Sequence, residues 1–470
     1  MLTPNEAQRE PSAISNYLNG LGVNYMVIDP LVNHTLDEIT TLVNLQKYSL
    51  LRTVLVLHES QILMCILPDD YFFDIGALAH FYETSLIALT HEEQALFLSK
   101  IQLETCPPLP DLVGINAFID KDILSNNEIY FRASTDNTLI GMKRDVFMAL
   151  AHSCKVVSMG FPYDSLAHKE LSVGGISKSI QNLTPIRIKQ RLNETIELPA
   201  IPAIAQKILK LRFNPHATSK ELAQVLEKDP SLAAQLMSWA TSPYYGYSGN
   251  LACLEDAIVK VLGFDLVMNL ALGIILGRSM KVAVKGPMGL RAYWEFAILC
   301  AALAENLAKM ITVSKRPTLG LVYLGGLLHN FGHLLLAQVF PPHFELLTQY
   351  VIVNPKANMI DIENYVLGIS HDEIGAWMMQ AWDLPSEVIM AISHHHDEEY
   401  NGEFAIYPNL VLVATRLLKR IGIGDAKGTH VPKALLEKLG LSDTNLEMAL
   451  EEIISQREDL FDLVSQVVPK

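Results

Sequence analysis

The sequence has no apolar run approaching the roughly 18–20 residues that cross a bilayer, although half of its 470 residues are hydrophobic. Its most apolar stretch, Leu319 to Leu328, stops at His329 and reads as a buried helix. Cysteine is scarce: Cys65, Cys106, Cys154, Cys253 and Cys300 are odd in number, far apart and form no CxxC pair. That usage predicts packed free thiols in a reducing compartment. Positive charge is in deficit, with 36 Lys and Arg against 51 Asp and Glu, a net −15. Such a chain has no global electrostatic footprint for gripping phosphate backbones, which leaves room only for a local basic patch. The opening MLTPNEAQREPSA is polar and partly acidic, unlike a secretory leader. Low-complexity tracts, solenoid repeats and an evident DNA-binding motif are also missing. These features predict a soluble cytoplasmic protein of two or three domains with no membrane partner.

What is present divides into two textures. In the first third, RTVLVLHESQILMCILP from Arg52 reads as two neighbouring strands around a turn at His58-Glu59-Ser60. Short helices are expected over Asp74–Tyr82 and Thr90–Leu98, the second with Thr90 as N-cap and Glu93 three residues on. Strands are expected at Leu112–Ile119, Glu128–Phe131 and Thr138–Met142, then a helix at Arg144–His152. This mixture predicts an α/β domain over residues 1–165. A Ser-, Gly- and Lys-bearing stretch, drawn as 166–189, reads as the linker.

From 190 to 470 the pattern is helical almost throughout. One helix is expected at Ala203–Leu211, a second at Lys220–Lys228 capped by Ser219, and a third beginning at Pro230 with Asp229 as N-cap. Others are expected at Leu254–Gly277, Tyr293–Ile311, Leu319–His329, Ile360–Val366, Glu373–Trp382, Glu387–His395 and Leu410–Ile421. A charged helical hairpin follows Gly422–Thr429.

The helical part carries LPAIPAIAQKIL (198–209), LEKDPSLAAQLMSWATSPYYG (226–246), LEDAIVKVLG (254–263), GGLLHNFGHLLL (325–336), HDEIGAWMMQAWDLP (371–385) and AISHHH (391–396). In these blocks it resembles the HD-related output domain (HDOD), a bacterial signalling domain related to the HD phosphohydrolases. The first part carries LRTVLVL (51–57), PDD (68–70), CPPLPDLVG (106–114) and YFRASTDNTLIGMKRDVF (130–147). There it resembles the YbaK-type domain, found with prolyl-tRNA synthetases and in freestanding deacylases that clear mischarged tRNA. The resemblances imply a two-domain chain, mixed α/β and then all-α.

HD enzymes hold a divalent metal with a His, a His-Asp pair and a later Asp, because imidazole and carboxylate fix a cation that acidifies bound water. The matching positions here are Phe296, His329-Asn330 and Thr415. A phenyl ring has no lone pair to give, an amide has replaced an anion, and a hydroxyl stands for the last carboxylate. The resemblance therefore implies a remnant cleft of Phe296, His329, Asn330, His371, His394, His395 and Thr415, with no catalytic residue, metal or other cofactor. His329 and His333, at i and i+4, share a face only on an uninterrupted helix, and a hydrogen-bonded histidine at a helix end is the simpler reading. His394, His395 and His396 point about 100° apart and cannot all converge.

In the YbaK-like part, Arg52 stands where the family has a supporting Lys, and its planar guanidinium differs from an ammonium in shape. The candidate pocket is Arg52, Cys106, Pro107, Ser134, Thr135 and Asp136, with a family glycine missing from the 134–137 loop. A lone Cys106 reads as packed. The expected function is a non-catalytic signalling protein whose partner is another signalling protein or a small nucleotide, with tRNA a candidate at the first domain. The alternatives are an aminoacyl-tRNA trans-editing hydrolase and, after it, an HD phosphohydrolase.

Overall fold

The structure is a computed structural model that describes residues 13–28, 49–82, 86–133, 138–169, 200–280, 286 and 288–467. The chain divides into two units, Met1–Asn182 with Gln349–Ala357, and Leu183–Thr348 with Asn358–Lys470. The sequence placed the first domain in one continuous stretch; the structure adds the nine residues Gln349–Ala357 to it.

The first unit is built on a mixed sheet. Its strands are β1 (Met26–Ile28), β2 (Leu50–His58), β3 (Gln61–Pro68), β4 (Tyr71–Phe73), β5 (Ile87–Ala88), β6 (Asn116–Asp120), β7 (Glu128–Arg132), β8 (Leu139–Lys143), β9 (Lys155–Val157) and β10 (Gly160–Pro162). The order is β1-β8-β7-β2-β3-β6-β9, β5 adds to β2, and β10 pairs β4 apart from the main sheet. The expected hairpin forms, β2 against β3 with Val54 opposite Cys65, and Glu59 takes a left-handed φ of 53° to turn the chain. Alternation then sends Leu51 and Leu55 of β2, with Met64 and Ile66 of β3, to one face. There they bury with Ile119, Phe131, Ile140 and Phe147, at about 1.5–3 kcal/mol for each large side chain. The Thr90–Glu93 capping box is present on the helix His91–Lys100. Leu112–Ile119 is not one strand: Pro110–Val113 makes a helical turn ending at Gly114, and β6 starts at Asn116. Pro110 at the first helical position favours that turn over an extended start.

The second unit is helical. Asp229 caps Pro230–Ala240 as expected, whereas Thr218, not Ser219, caps Ser219–Leu226, because the box partner Glu221 lies three residues beyond Thr218. The expected helix Leu254–Gly277 is broken. Gly263, at φ 83°, turns the chain by 117° between Leu254–Leu262 and Phe264–Arg278, a backbone conformation that a side chain would oppose. The long helix Leu290–Met310 packs on Leu319–Leu328, and around them stand Phe331–Val339, Met359–Leu367, His371–Ala381, Ser386–His394 and Ile406–Arg420. Pro341–Val353, which the sequence reading passed over, is also a helix. Three helices, not two, close the chain: Lys433–Leu439, Asp443–Ser455 and Arg457–Val467. Among the described residues, the run Leu319–Val339 and the pair bent at Gly263 are long and apolar enough to cross a membrane; the window in the former is 94% buried inside the protein.

Candidate functional site

Four helix ends, the middle of Met359–Leu367 and one loop bring titratable groups together in the second unit. Leu319–Leu328 ends at His329, whose Nδ1 lies 2.7 Å from the Gly326 carbonyl. A carbonyl only accepts, so Nδ1 carries the proton and Nε2 offers a lone pair; that Nε2 is buried and unpartnered. His395 repeats the arrangement at the end of Ser386–His394, with Nδ1 donating to the Ile392 carbonyl at 2.7 Å. The His329 ring meets Phe296 edge-on at 4.8 Å and His395 at 5.1 Å. His371 opens the helix His371–Ala381 and is buried. Its Nδ1 donates to both oxygens of Glu363, at 2.9 and 3.0 Å, and its backbone N–H donates to Glu363 Oε2 at 3.0 Å. Glu363 also accepts from His333 Nε2 at 2.6 Å. Gly332 makes this approach feasible: a Cβ there would lie 1.9 Å from the His371 carbonyl oxygen.

With the rings of His371 and His395 fixed by their Nδ1 bonds, three Nε2 atoms come together. His371 Nε2 is 3.4 Å from Nε2 of His395 and 3.4 Å from Nε2 of His396. Asp425 completes the cluster from the loop after Ile406–Arg420. Its Oδ2 accepts from Asn330 Nδ2 at 2.7 Å, while its Oδ1 and Asn330 Oδ1 are buried without a partner.

The charges follow from this geometry. Burial disfavours imidazolium at His371, but Glu363 outweighs it and lifts the pKa to about 9. Burial works against the Glu363 anion too, yet His371 and His333 hold it well below the usual carboxylate range. At His329 burial outweighs Asp425 and the bond to Gly326 and takes the pKa down to about 4, and burial pushes His395 and His396 down as well. Burial would raise the Asp425 pKa, but the surrounding histidines, His396 foremost, bring it below its ordinary value. Without metal the cluster thus pairs the His371 imidazolium with the Glu363 carboxylate, beside neutral His329, His395 and His396 and the Asp425 carboxylate.

A transition-metal ion fits these residues. Tetrahedral Zn–N bonds of roughly 2.0–2.1 Å set ligand nitrogens about 3.4 Å apart, the separation found from His371 to His395 and to His396. The Nδ1 partners of His371 and His395 are the carboxylate and carbonyl that orient metal-bound imidazoles elsewhere. His371, His395 and His396 would hold the ion. The room is small. A cavity of about 10 Å³ lies beside His395 and His396, lined also by Thr415, Arg416 and Lys427, which suffices for about one water.

Of the residues the sequence assigned to this cleft, Phe296, His329, Asn330, His371 and His395 do meet. His394 does not: its ring stacks on Tyr400 at 3.8 Å. Thr415 lines the cavity, but its hydroxyl donates to the Leu412 carbonyl at 3.0 Å. The carboxylate comes instead from Asp425, ten residues further on, and His396 takes the place expected of His394. His333 does not join His329, because the chain kinks at Asn330 between their helices and turns His333 to Glu363. Asp425 was the one acid in a Gly-rich loop, a weak signal. Glu363, eight residues before His371, carried none beyond its place in an apolar helix.

In the first unit the described residues of the assigned pocket lie apart. Successive residues of β2 point to opposite faces. Thr53 donates to the Cys106 carbonyl at 2.7 Å, so the Cys106-Pro107 loop lies on the face away from Arg52. Burial lifts the Cys106 pKa to about 11, which leaves a thiol rather than a nucleophilic thiolate. Ser134, Thr135 and Asp136 lie outside the described residues.

Residues 198–398 match the HDOD domain. Across the whole chain, a candidate signal transduction protein from Marinobacter aquaeolei VT8 is 31% identical, with a TM-score of 0.77, covering 97% of this chain and 99% of that one. An uncharacterized protein of Treponema pallidum (strain Nichols) is 25% identical over 249 residues, 51% of this chain, and the match spans only 45% of that relative's own length. A candidate trans-editing enzyme for prolyl tRNA synthetase is covered to 99% by 33% of this chain, at 18% identity and a TM-score of 0.27, too distant to bear on function. With its helical unit matching in sequence and its full length matching in structure, the chain belongs to the HDOD-domain proteins.

Proposed function

We propose that this protein is a cytoplasmic signalling component in which an HD-related cleft has become a regulatory centre, holding one divalent transition-metal ion without hydrolysing phosphoesters. The observation that carries the reading is the pair of 3.4 Å separations from His371 Nε2 to His395 and His396. His371 at the start of one helix and His395 and His396 at the end of another would hold the ion, whose charge would replace the proton His371 otherwise holds, with the Glu363 carboxylate beside it. Two features argue against hydrolysis: Asn330 spends its amide on Asp425, and Phe296 covers His329. The partner in this reading is another signalling protein. In the same reading the first unit is a degenerate deacylase-like module, supported by the dispersal of Arg52 and Cys106 to opposite faces of β2. Five free cysteines support a reducing compartment.

Elemental analysis of dialysed protein tests the centre, and incubation with phosphomonoester and phosphodiester substrates plus Mn, Fe or Zn tests the absence of hydrolysis. About one ion per chain, lost in His371→Ala, with no phosphate release, is expected. Metal-dependent turnover abolished by His371→Ala would establish the phosphohydrolase instead. Ester loss from Ala-, Ser- or Cys-tRNA that disappears in Arg52→Ala would establish trans-editing.

A further inference from the structure

Two short strands of the first unit leave backbone groups open. Among the described residues, β4 pairs only with β10, and β5 only with β2. The groups facing away from those partners are met by side chains of Gln349–Ala357, the segment that the chain returns to this unit. Pro355 ends the helix Pro341–Val353, since the residue before a proline is driven out of the helical region, and the last helical carbonyls then need partners. Arg52 supplies one, its Nη1 donating to the Val353 carbonyl at 2.8 Å. Its Nη2 donates to the Tyr71 carbonyl at 2.9 Å and to Asn354 Oδ1 at 3.3 Å.

Asn354, 1% exposed, is read by four bonds. Its Oδ1 accepts from the Phe73 N–H at 2.7 Å as well as from Arg52, and its Nδ2 donates to the Phe73 and Tyr350 carbonyls at 3.0 and 3.1 Å. One carboxamide thus pairs with both backbone groups of Phe73, as a neighbouring strand would. Gln349 does the same by half at β5, where its Oε1 accepts from the Ala88 N–H at 2.5 Å. Tyr350 donates its hydroxyl to Asp74 at 2.7 Å and stacks on Phe72 at 5.7 Å. Lys356 pairs with Asp69.

We propose that the β4–β5 edge with Arg52 is a peptide-docking site whose occupant is residues 349–357 of this same chain, two carboxamides substituting for an added strand. The α/β unit thereby works as a receptor for its own chain, by a side-chain form of strand addition. Arg52 serves as the clamp on that occupant, its two terminal nitrogens engaged by Val353, Asn354 and Tyr71. This inference is independent of the histidine centre.

Hydrogen exchange on the full chain tests it. In Asn354→Ala the Phe73 amide is expected to exchange at least tenfold faster, while the β2–β3 amides around Val54 and Cys65 keep their rates. A synthetic peptide of residues 341–357, added in excess to that variant, is expected to restore protection at Phe73, and the same peptide with Asn354→Ala is not. Unchanged exchange at Phe73, equal loosening throughout the unit, or failure of the wild-type peptide to restore protection would each overturn the proposal. Should Asn354→Ala not fold, Gln349→Ala provides the same reading at the Ala88 amide, with the same peptide as competitor.

Discussion

Neutralising Glu363 should remove a defined part of the protein's pH dependence. In metal-free, chelator-treated protein, His371 titrates at about 9 against about 6.5 in the unfolded chain. A base with a raised folded pKa contributes stability that is complete below the unfolded value and is lost as pH rises through the folded one. Between pH 6.5 and pH 8 the lost part is about 1.5 kcal/mol. The buried thiols weaken the fold only as pH approaches their unfolded pKa of about 8.5. The depressed His329, His395 and His396 act in the opposite direction, each regaining up to about 0.4 kcal/mol over the same interval as the unfolded chain gives up its protons, so the His371 part is read from the difference between wild type and a variant that lacks its anion. Glu363→Gln leaves His371 and His333 without their anion. Breaking such a buried pair costs about 3–5 kcal/mol near pH 6.5, and less at pH 8, where wild-type protein has already lost part of the contribution. Urea unfolding of both proteins at half-unit pH steps measures this. The stability difference between the two proteins is expected to shrink by about 1.5 kcal/mol from pH 6.5 to pH 8; a difference that stays constant with pH would refute the account of the pair.

Gly332→Ala should destabilise by more than about 3 kcal/mol, read from the urea midpoint, because its Cβ would fall 1.9 Å from a backbone oxygen that cannot move freely. Asn330→Asp sets a second carboxylate 2.7 Å from Asp425 Oδ2; lower thermal stability without metal and a larger upward shift with Mn than wild type are expected in a thermal melt. Alkylation at pH 8 followed by mass spectrometry should label exposed Cys253 first and Cys106 and Cys154 slowly, the latter two held near 11 by burial.

Local chemistry was readable in the sequence wherever partners are close along the chain. The hairpin around Glu59, the Thr90–Glu93 box and Asp229 with Pro230 all rest on residues within a few positions of one another. Errors arose where two local signals compete. Thr218 and Ser219 both qualify as caps, and only the distance to Glu221 decides. Leu112–Ile119 is apolar enough for a strand, but Pro110 favours a helical turn. Pro341–Val353 opens with two prolines and ends in Val-Ile-Val, a pattern unlike a helix until tertiary packing overrides propensity. The site was half visible: block resemblance located His329, His371 and His395. Asp425, however, bonds Asn330 from 95 residues away, and nothing local marks such a pair. Arg52 and Val353 meet across 301 residues, beyond any periodicity.

The return of Gln349–Ala357 to the first unit has a consequence for anyone dissecting the gene. A fragment cut at the apparent boundary before the helices would lack the residues that cover Phe72, Phe73 and Arg52, and should aggregate or bind the severed piece. The helical half alone would carry that piece with nothing to seat it. Neither half can be swapped as a cassette, and the two must be inherited together.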